Sequence, residues 1–253
     1  MVRTFCLSSE IDYIEVYLNS NLYYKYYEID NPNNLDIVGF PDGMIDIQVG
    51  LSNGKVTIQF VGSFLEGRIA TTTSFERCVG IKLRPDVIPI CLIGNMELLN
   101  ENMRIDVSEL LDVDSGMVQQ IFEDNCTIEK KVQIMSSIIK REYIQNKNEI
   151  TAYVINVVNR KQGNINVADI INDLGYSHRY SDTIFKKNVG FTIKKYARIY
   201  RLQEAMNLLV ENVENVCYEL GYYDQSHFIH DFKKFSSFTP TAFKNVMESM
   251  RIV

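Results

Sequence analysis

The sequence of 253 residues lacks the patterns that mark exported, membrane-spanning or disulfide-bonded proteins. Met1 leads into polar sequence rather than into a basic segment and an apolar run, so no signal peptide is expected. No stretch reaches the roughly 18 apolar residues that a membrane helix needs. The five cysteines are scattered without a C-x-x-C pair, which indicates reduced thiols. These absences predict a cytoplasmic protein that has no membrane partner.

Signatures of catalysis are missing as well. All three histidines lie at or beyond position 178, so the first 150 residues contain no histidine for a metal site. The sequence has no G-x-S-x-G, P-loop or H-E-x-x-H motif. Asp42 and Asp46 in "PDGMID" fit turn and edge-strand positions better than a catalytic pair. We therefore expect a protein that is not an enzyme and that carries no cofactor.

A metal site is one interpretation of "GYYDQSHFIHDFKKF", the segment at residues 221–235. His227 and His230 are three residues apart, with Asp224 and Asp231 beside them. No cysteine or third histidine is close in sequence, so zinc binding is the weaker interpretation and no metal is expected. The alternative is that these side chains occupy the faces of a helix.

Charge is distributed unevenly along the chain. The net charge is −6, but residues 151–253 carry 13 Lys and Arg against 10 Asp and Glu, a balance of +3. The first 150 residues therefore carry 13 against 22, a balance of −9. The two parts are electrostatically different, so the acidic total does not exclude phosphate binding by the second part.

The first part reads as β-structure up to about residue 95. "LYYKYYEI", "MIDIQVGL", "KVTIQFVG" and "FERCVGIKLRP" are strand candidates, "SNG" is a hairpin turn, and "NPNN" and "FPDG" are further turns. This pattern predicts a barrel or sandwich-like domain. The tyrosines at 23, 24, 26 and 27 are expected in its core, with an effector pocket as the alternative.

Helices are expected after about residue 95. An amphipathic stretch from Gly116 to Gln145 is a candidate dimer helix, and packing against its own domain is the equal alternative. A boundary near residue 148 divides the chain into residues 1–147 and 148–253. We predict an α+β multidomain protein whose first domain is β-rich with added helices and whose second domain is all-α.

The second domain contains an internal repeat. Residues 167–196 align with residues 213–243, matching Leu-Gly-Tyr with Leu-Gly-Tyr and Phe-Lys-Lys with Phe-Lys-Lys, with one extra residue in the second copy. In each copy a helix ends at a glycine, and Ser177 or Asp224 begins a second helix as its N-cap. Thr192 and Thr239 are further N-caps. The repeat predicts two helix-turn-helix units, at about 165–190 and 213–238, joined by a linker helix.

These residues resemble the AraC-type transcription regulators. The match lies in "DLGYS…IFKKNVGFTIKKYARIYRLQEA" and "YELGYYDQSHFIHDFKKFSSFTPTAFK" and covers roughly residues 150–250. Ser237 stands where the family usually has glycine. "FPDGMIDIQV", "VGSF" and "VGIKLRP" resemble the β-rich regulatory domain that precedes this module in one subgroup.

The resemblance implies that two recognition helices enter successive major grooves of promoter DNA. Arg179 is suited to guanine, Gln225 to adenine and Asp182 to cytosine N4. By position, the candidates for base contact are His178, Arg179, Asp182, Thr183, Gln225, Ser226, Ile229 and His230. The candidates for phosphate contact are Lys186, Lys187, Thr192, Arg198, Lys233, Lys234 and Thr239.

The resemblance also implies how such a protein is controlled. The N-terminal domain is expected to bind a small-molecule effector, and a protein partner is the alternative. Its response would change DNA binding or contact with RNA polymerase, and a homodimer is a further expectation. The sequence therefore predicts a sequence-specific DNA-binding transcription regulator whose effector pocket is unknown.

Overall fold

The structure is a computed structural model that describes residues 5–8, 10–33, 35–63, 68–70, 75–92, 104–106, 114–145 and 148–252. A β-rich N-terminal part is followed by a helical C-terminal part, which confirms the predicted α+β class. Within the ranges described, no helix is both long enough and apolar enough to cross a membrane.

Antiparallel pairing joins the strands of the structure. In chain order the strands are β1 Phe5–Ser8, β2 Asp12–Tyr17, β3 Tyr23–Asp30, β4 Ile37–Gly39, β5 Asp46–Ser52, β6 Lys55–Val61, β7 Arg68–Ala70, β8 Arg77–Leu83, β9 Val87–Pro89, β10 Arg104–Asp106, β11 Tyr143–Gln145 and β12 Met250–Ile252. The larger sheet has the order β10-β6-β5-β8-β3-β2, and the smaller sheet has the order β12-β1-β4-β7. β9 and β11 form a separate pair.

Local sequence explains the central hairpin of the larger sheet. β5 and β6 pair from Asp46 opposite Val61 to Ser52 opposite Lys55. Asn53 and Gly54 connect them with φ values of 50° and 73°. Both residues are types that accept positive φ, which a two-residue hairpin turn of this kind requires. The "SNG" turn and its two strands are therefore confirmed.

Short helices and a second sheet cover the two faces of the larger sheet. α1 (Ser115–Gln119), a 3₁₀ turn (Gln120–Phe122) and α2 (Ile128–Glu142) cover one face, where α2 buries Ile134 and Ile138 in its own domain's core. This contact uses the apolar stripe that was the candidate dimer surface. Phe5 of β1 packs with Tyr27 of β3 between the two sheets, as in a sandwich.

Three short strands lie beyond residue 95, where only helices were expected. β10 pairs with β6, β11 with β9, and β12 with β1. Each strand has three residues, so a periodic pattern cannot develop along it. Their backbone partners are distant in sequence, which explains why the local pattern did not reveal them.

Asp46 does not occupy the predicted edge position. β5 lies between β6 and β8 in the larger sheet, and Asp46 is buried there. Lys82 Nζ lies 2.7 Å from Asp42 Oδ2 and 2.6 Å from Asp46 Oδ1. Burial opposes the charge on Lys82, but the two carboxylates outweigh it and raise the pKa of Lys82 above its usual value. The polar face of β5 is thus an interior ion-pair network.

The C-terminal part packs its helices around a long central one. These helices are α3 Glu149–Arg160, α4 Val167–Leu174, α5 His178–Val189, α6 Ile193–Val210, α7 Val216–Glu219, α8 Gln225–Ser236 and α9 Pro240–Ser249. α6 buries side chains along its whole length, including Ile193, Leu202 and Leu209. It is the predicted linker helix, and both helix-turn-helix units rest on it.

At the predicted boundary near residue 148, Asn148 caps α3 by accepting a hydrogen bond from the Thr151 amide at 3.0 Å. The boundary itself stays a prediction, and two features cross it. Val38 and Phe40 from the N-terminal part belong to the apolar core of the helical part. In the opposite direction, β12 adds a strand to the N-terminal sheet through its pairing with β1.

Candidate DNA-binding surface

Both helix-turn-helix turns are set by glycines with positive φ. Gly175 ends α4 in the left-handed conformation with φ 71°, and Gly221 follows α7 with φ 68°. A β-carbon on Gly221 would lie 2.1 Å from Nδ2 of Asn164, so any other residue here would have to displace the Asn164 side chain as well as adopt a positive φ. The predicted glycine turns are confirmed.

Side-chain caps begin the second helix of each unit and the helix that follows it. Ser177 Oγ accepts from the Tyr180 amide at 3.2 Å, and Asp224 Oδ1 accepts from the His227 amide at 2.7 Å. Thr192 and Thr239 cap α6 and α9 in the same way. All four predicted N-caps are confirmed, so the two recognition helices, α5 and α8, begin at equivalent positions.

The recognition helices share one register. From their caps onward, equivalent residues are separated by 47 positions, so Phe185 of α5 corresponds to Phe232 of α8. Both phenylalanines are fully buried. α5 ends at Gly190 with φ 89°, and α8 ends at Ser237 with φ 66°. Serine therefore adopts the left-handed conformation that glycine adopts in the first unit.

Most of the base-contact candidates lie on exposed faces. In α5 the side chains of His178, Arg179 and Thr183 are exposed. In α8 the exposed candidates are Gln225, Ser226, Ile229 and His230. Each helix thus turns its phenylalanines toward the core and most of its polar residues outward. Their contacts with bases stay predictions.

Asp182 differs from the other candidates because its carboxylate already has a structural partner. It is half-buried, and its Oδ1 accepts a hydrogen bond from the Ile193 amide at 2.8 Å. This bond ties α5 to the first turn of α6. Thr183 donates its hydroxyl proton to the Arg179 carbonyl at 2.7 Å, so only its lone pairs remain for a ligand.

The phosphate-contact candidates other than Arg198 fall into two groups, the lysines and the threonines. Lys187, Lys233 and Lys234 are exposed in the last turns of the recognition helices, and Lys186 is half-buried beside them. The hydroxyls of Thr192 and Thr239 serve as caps. Arg198 belongs to neither group, because its guanidinium binds a carboxylate inside the domain.

Arg198 of α6 holds α8 through Asp231. Its Nη2 donates to Asp231 Oδ1, and its Nε lies 3.4 Å from Asp231 Oδ2. The guanidinium also lies over the Phe235 ring, 4.8 Å from its centroid. Tyr222 donates to Asp231 at 3.3 Å, and burial together with the charge of Asp231 raises the pKa of Tyr222. The Tyr222 phenol therefore stays protonated and donates its hydrogen bond to the Asp231 carboxylate.

A cleft of about 730 Å³ separates the two recognition helices. α6 contributes Lys194, Arg198 and Arg201 to it, and His178 and His227 line it from α5 and α8. Arg201 donates to the Gly163 carbonyl at 3.0 Å and lies 5.0 Å from the Tyr222 ring centroid. Lys194, Arg201 and His227 were not among the candidates predicted from the sequence for base or phosphate contact. For Lys194 and Arg201 the available signal was the spacing of 194, 198 and 201, which places three basic residues on one helix face.

Two of the metal-ligand candidates on α8, His227 and Asp231, have other partners. His227 packs edge-on against Tyr222 with 5.3 Å between ring centroids, and Asp231 is bound to Arg198. Among the residues that the structure describes, no group of three or more His, Cys, Asp or Glu side chains is arranged to hold a metal ion.

Comparisons with known proteins address the helical part. Residues 165–245 match the family model described as a helix-turn-helix domain. The uncharacterized HTH-type transcriptional regulator YtdP of Bacillus subtilis is 29% identical over 110 residues, which are 42% of this chain and 14% of that protein. The transcriptional regulatory protein HptR of Staphylococcus aureus is 28% identical over 82 residues, 32% of each protein. The matched stretch is at most about a third of either relative.

Solved structures of ToxT from Vibrio cholerae align with most of the chain at low similarity. One covers 96% of this chain and 98% of its own, with a TM-score of 0.43 and 10% identity. Another, bound to an unsaturated fatty acid, covers 96% of this chain and 95% of its own, with a TM-score of 0.41 and 12% identity.

Proposed function

We propose that this chain, whose residues 165–245 match a helix-turn-helix domain, is a sequence-specific DNA-binding transcription regulator of the AraC type. One observation carries the proposal. Two recognition helices in the same register bury their apolar stripes on α6 and expose base-reading residue types, followed by lysines in the last turn. Two equivalent helices on one support suit successive major grooves of a duplex.

Direct readout is assigned to the exposed faces of the recognition helices. Arg179 has the paired donors that match guanine, and Gln225 has the donor and acceptor that match adenine. Ser226 and His230 flank the readout face of α8, and Ile229 offers an apolar contact for a thymine methyl group. For Asp182 we propose a positioning role, since its carboxylate binds the start of α6.

Backbone contacts are assigned to exposed lysines. Lys187, Lys233 and Lys234 would neutralise phosphates beside each major groove. Lys194 lines the cleft and is exposed, so it suits the phosphates that lie between the two grooves. Because these contacts neutralise phosphates, affinity should depend strongly on salt. The acidic N-terminal part, with its balance of −9, adds no attraction.

The test uses the full chain and DNA selected by it from random sequences. Lys233→Ala should weaken binding to all sequences and flatten the salt slope by about 0.9. Lys130→Ala is the matched control, because it removes the same charge from an exposed position on α2. Gln225→Ala should relax preference at one base pair, at a cost of about 1–3 kcal/mol, and leave the slope unchanged. Selection of no preferred sequence by the unmodified chain would refute the proposal.

Control by a small-molecule effector in the N-terminal part is a second element of the proposal. A cleft of about 410 Å³ between the β5–β6 hairpin and α1 supports it, since this size suits small ligands. Its lining includes Val56 and Gln119. The alternative is a protein partner that acts on the same part of the chain.

A fractionated cell extract distinguishes these two modes of control. If the low-mass fraction changes DNA affinity and Gln119→Trp, which fills the cleft from an exposed position, abolishes the change, an effector is supported. A response to the macromolecular fraction alone would favour the protein partner.

In this proposal the chain acts in the cytoplasm on double-stranded promoter DNA and passes its effect to RNA polymerase. A homodimer stays a prediction, and it would need a surface other than the stripe that α2 buries in its own domain. The expectation that the chain is not an enzyme also stays a prediction.

A further inference from the structure

The loop between β4 and β5 is buried although its sequence, "FPDG", is typical of an exposed turn. We name residues 40–43 the docking loop. All four residues are buried, and Phe40 is only 1% exposed. A buried loop must have partners for its apolar and polar groups, and these partners lie on both sides of the molecule.

On one side the docking loop enters the core of the helical part. The Phe40 ring meets Phe238 and Phe243 edge-on, with centroid distances of 6.4 and 5.8 Å. Gln203 of α6 donates from Nε2 to the Pro41 carbonyl at 2.6 Å. A β-carbon on Gly43, which has φ 73°, would lie 3.2 Å from the Tyr196 ring. The loop therefore touches both α6 and the segment around α9.

Two of these contacts, those with Phe243 and Tyr196, are one aromatic ring away from a recognition helix. Phe243, which Phe40 touches, packs against Phe232 of α8 with 5.5 Å between centroids. Tyr196, whose ring lies beside Gly43, packs against Phe185 of α5 with 5.5 Å between centroids. Phe232 and Phe185 are the equivalent core residues of the two units. A displacement of the loop would thus shift α8 through Phe243 and Phe232, and α5 through Tyr196 and Phe185.

On the other side the docking loop is fixed to the N-terminal sheets. The Asp42 and Gly43 amides donate to Ser63 Oγ at 3.2 and 2.8 Å. The Asp42 carboxylate lies 2.7 Å from Nζ of Lys82, a buried residue of β8. Lys82 also binds Asp46 of β5. The position of the loop therefore depends on the arrangement of β5 and β8.

We propose that the docking loop is the element through which the N-terminal part sets the packing of both recognition helices, with Phe40 as its principal positioning residue. The effect on DNA rests on the proposed function, while the mechanical link does not. Coupling of this kind needs a physical element with contacts to both parts, and the docking loop has them.

The test compares Phe40→Leu with Phe60→Leu in the full chain. Both phenylalanines are 1% exposed, but Phe60 lies in the core between the larger sheet and α2, away from the helical part. Leucine keeps most of the apolar volume, so both variants should fold. Thermal unfolding measures the stability of each, and the comparison is made where both are fully folded.

Two readouts separate the link from the proposed function. Phe40→Leu should raise amide hydrogen exchange in α5 and α8, and Phe60→Leu should not. On selected DNA, Phe40→Leu should weaken affinity at least about fivefold, the lower end of usual coupling between sites, and Phe60→Leu less than twofold. Equal exchange in α5 and α8 for both variants overturns the link. A chain that selects no DNA sequence refutes the proposed function, and the exchange result still decides the link.

As a second variant, Gln203→Met removes the hydrogen bond to the Pro41 carbonyl and keeps a side chain of similar length. If the docking loop acts as one unit, the double variant with Phe40→Leu should lose less DNA affinity than the product of the two single losses. Fully multiplicative losses would overturn the assignment of both contacts to one element.

Discussion

Replacing Asp231 with asparagine separates two roles for Arg198, a clamp inside the domain and a contact with phosphate. The substitution removes the negative charge that Arg198 and Tyr222 share, while it keeps the size of the side chain and one acceptor oxygen. If the ion pair holds α8 on α6, stability should fall. If the same pair withholds Arg198 from DNA, its loss should increase affinity for DNA of any sequence.

The size of the stability loss follows from burial. Removing one partner of a buried ion pair costs about 3–5 kcal/mol when both charges lack solvent. The Asp231 side chain is 5% exposed, but the Arg198 side chain is 32% exposed and regains water once released. We therefore expect a loss of about 1–3 kcal/mol, measured by urea unfolding. Asp173→Asn is the control: it is exposed and bound to Tyr153 at 2.8 Å, so it should cost less than about 0.5 kcal/mol.

The expected change in DNA binding has the opposite sign. A released Arg198 adds one positive charge to the cleft between the recognition helices, so the salt slope should steepen by about 0.9. Fluorescence anisotropy with full chain and random duplex DNA measures the slope under conditions where both proteins are folded. Unchanged stability would refute the clamp. An unchanged slope would refute the claim that Asp231 withholds Arg198 from phosphate.

Two further predictions concern the turns of the second unit. Ser237→Gly should stabilise the chain by about 0.5–1 kcal/mol in urea unfolding, because glycine adopts the observed φ of 66° without the steric cost that serine bears; a destabilised variant would contradict this account of the C-cap. Gly221→Ala should destabilise the chain by about 2 kcal/mol, because it adds strain at φ 68° and displaces Asn164. Gly54→Ala, at φ 73° with open space around it, is the control, and an equal loss in both variants would show that the contact with Asn164 is unimportant.

The features that could be predicted from sequence depend on short-range contacts. Ser177 and Asp224 cap their helices through amides three residues away, and the turn glycines act through their own φ angles. Such features need no knowledge of the rest of the molecule. The repeat strengthened them, because it placed the same signals twice in one register.

The features that could not be predicted depend on distant partners. Alternation along β5 indicates two faces but not what covers each face. The sequence therefore placed Asp46 at a strand edge, because its partner Lys82 is 36 positions away on β8. Asp182 looked available because its partner is the backbone of Ile193 on another helix. The turn at Pro41 was correct as a turn, but its carbonyl meets Gln203, 162 positions away in the chain.

The shared core around Phe40 has a thermodynamic consequence. Because Val38 and Phe40 complete an apolar cluster made of helical residues, unfolding of the N-terminal part would uncover Phe238 and Phe243 to water. We therefore expect the two parts to unfold together, in a single cooperative transition. A substitution that unfolds the β-rich part should then also abolish the proposed DNA binding, even when it lies far from the recognition helices.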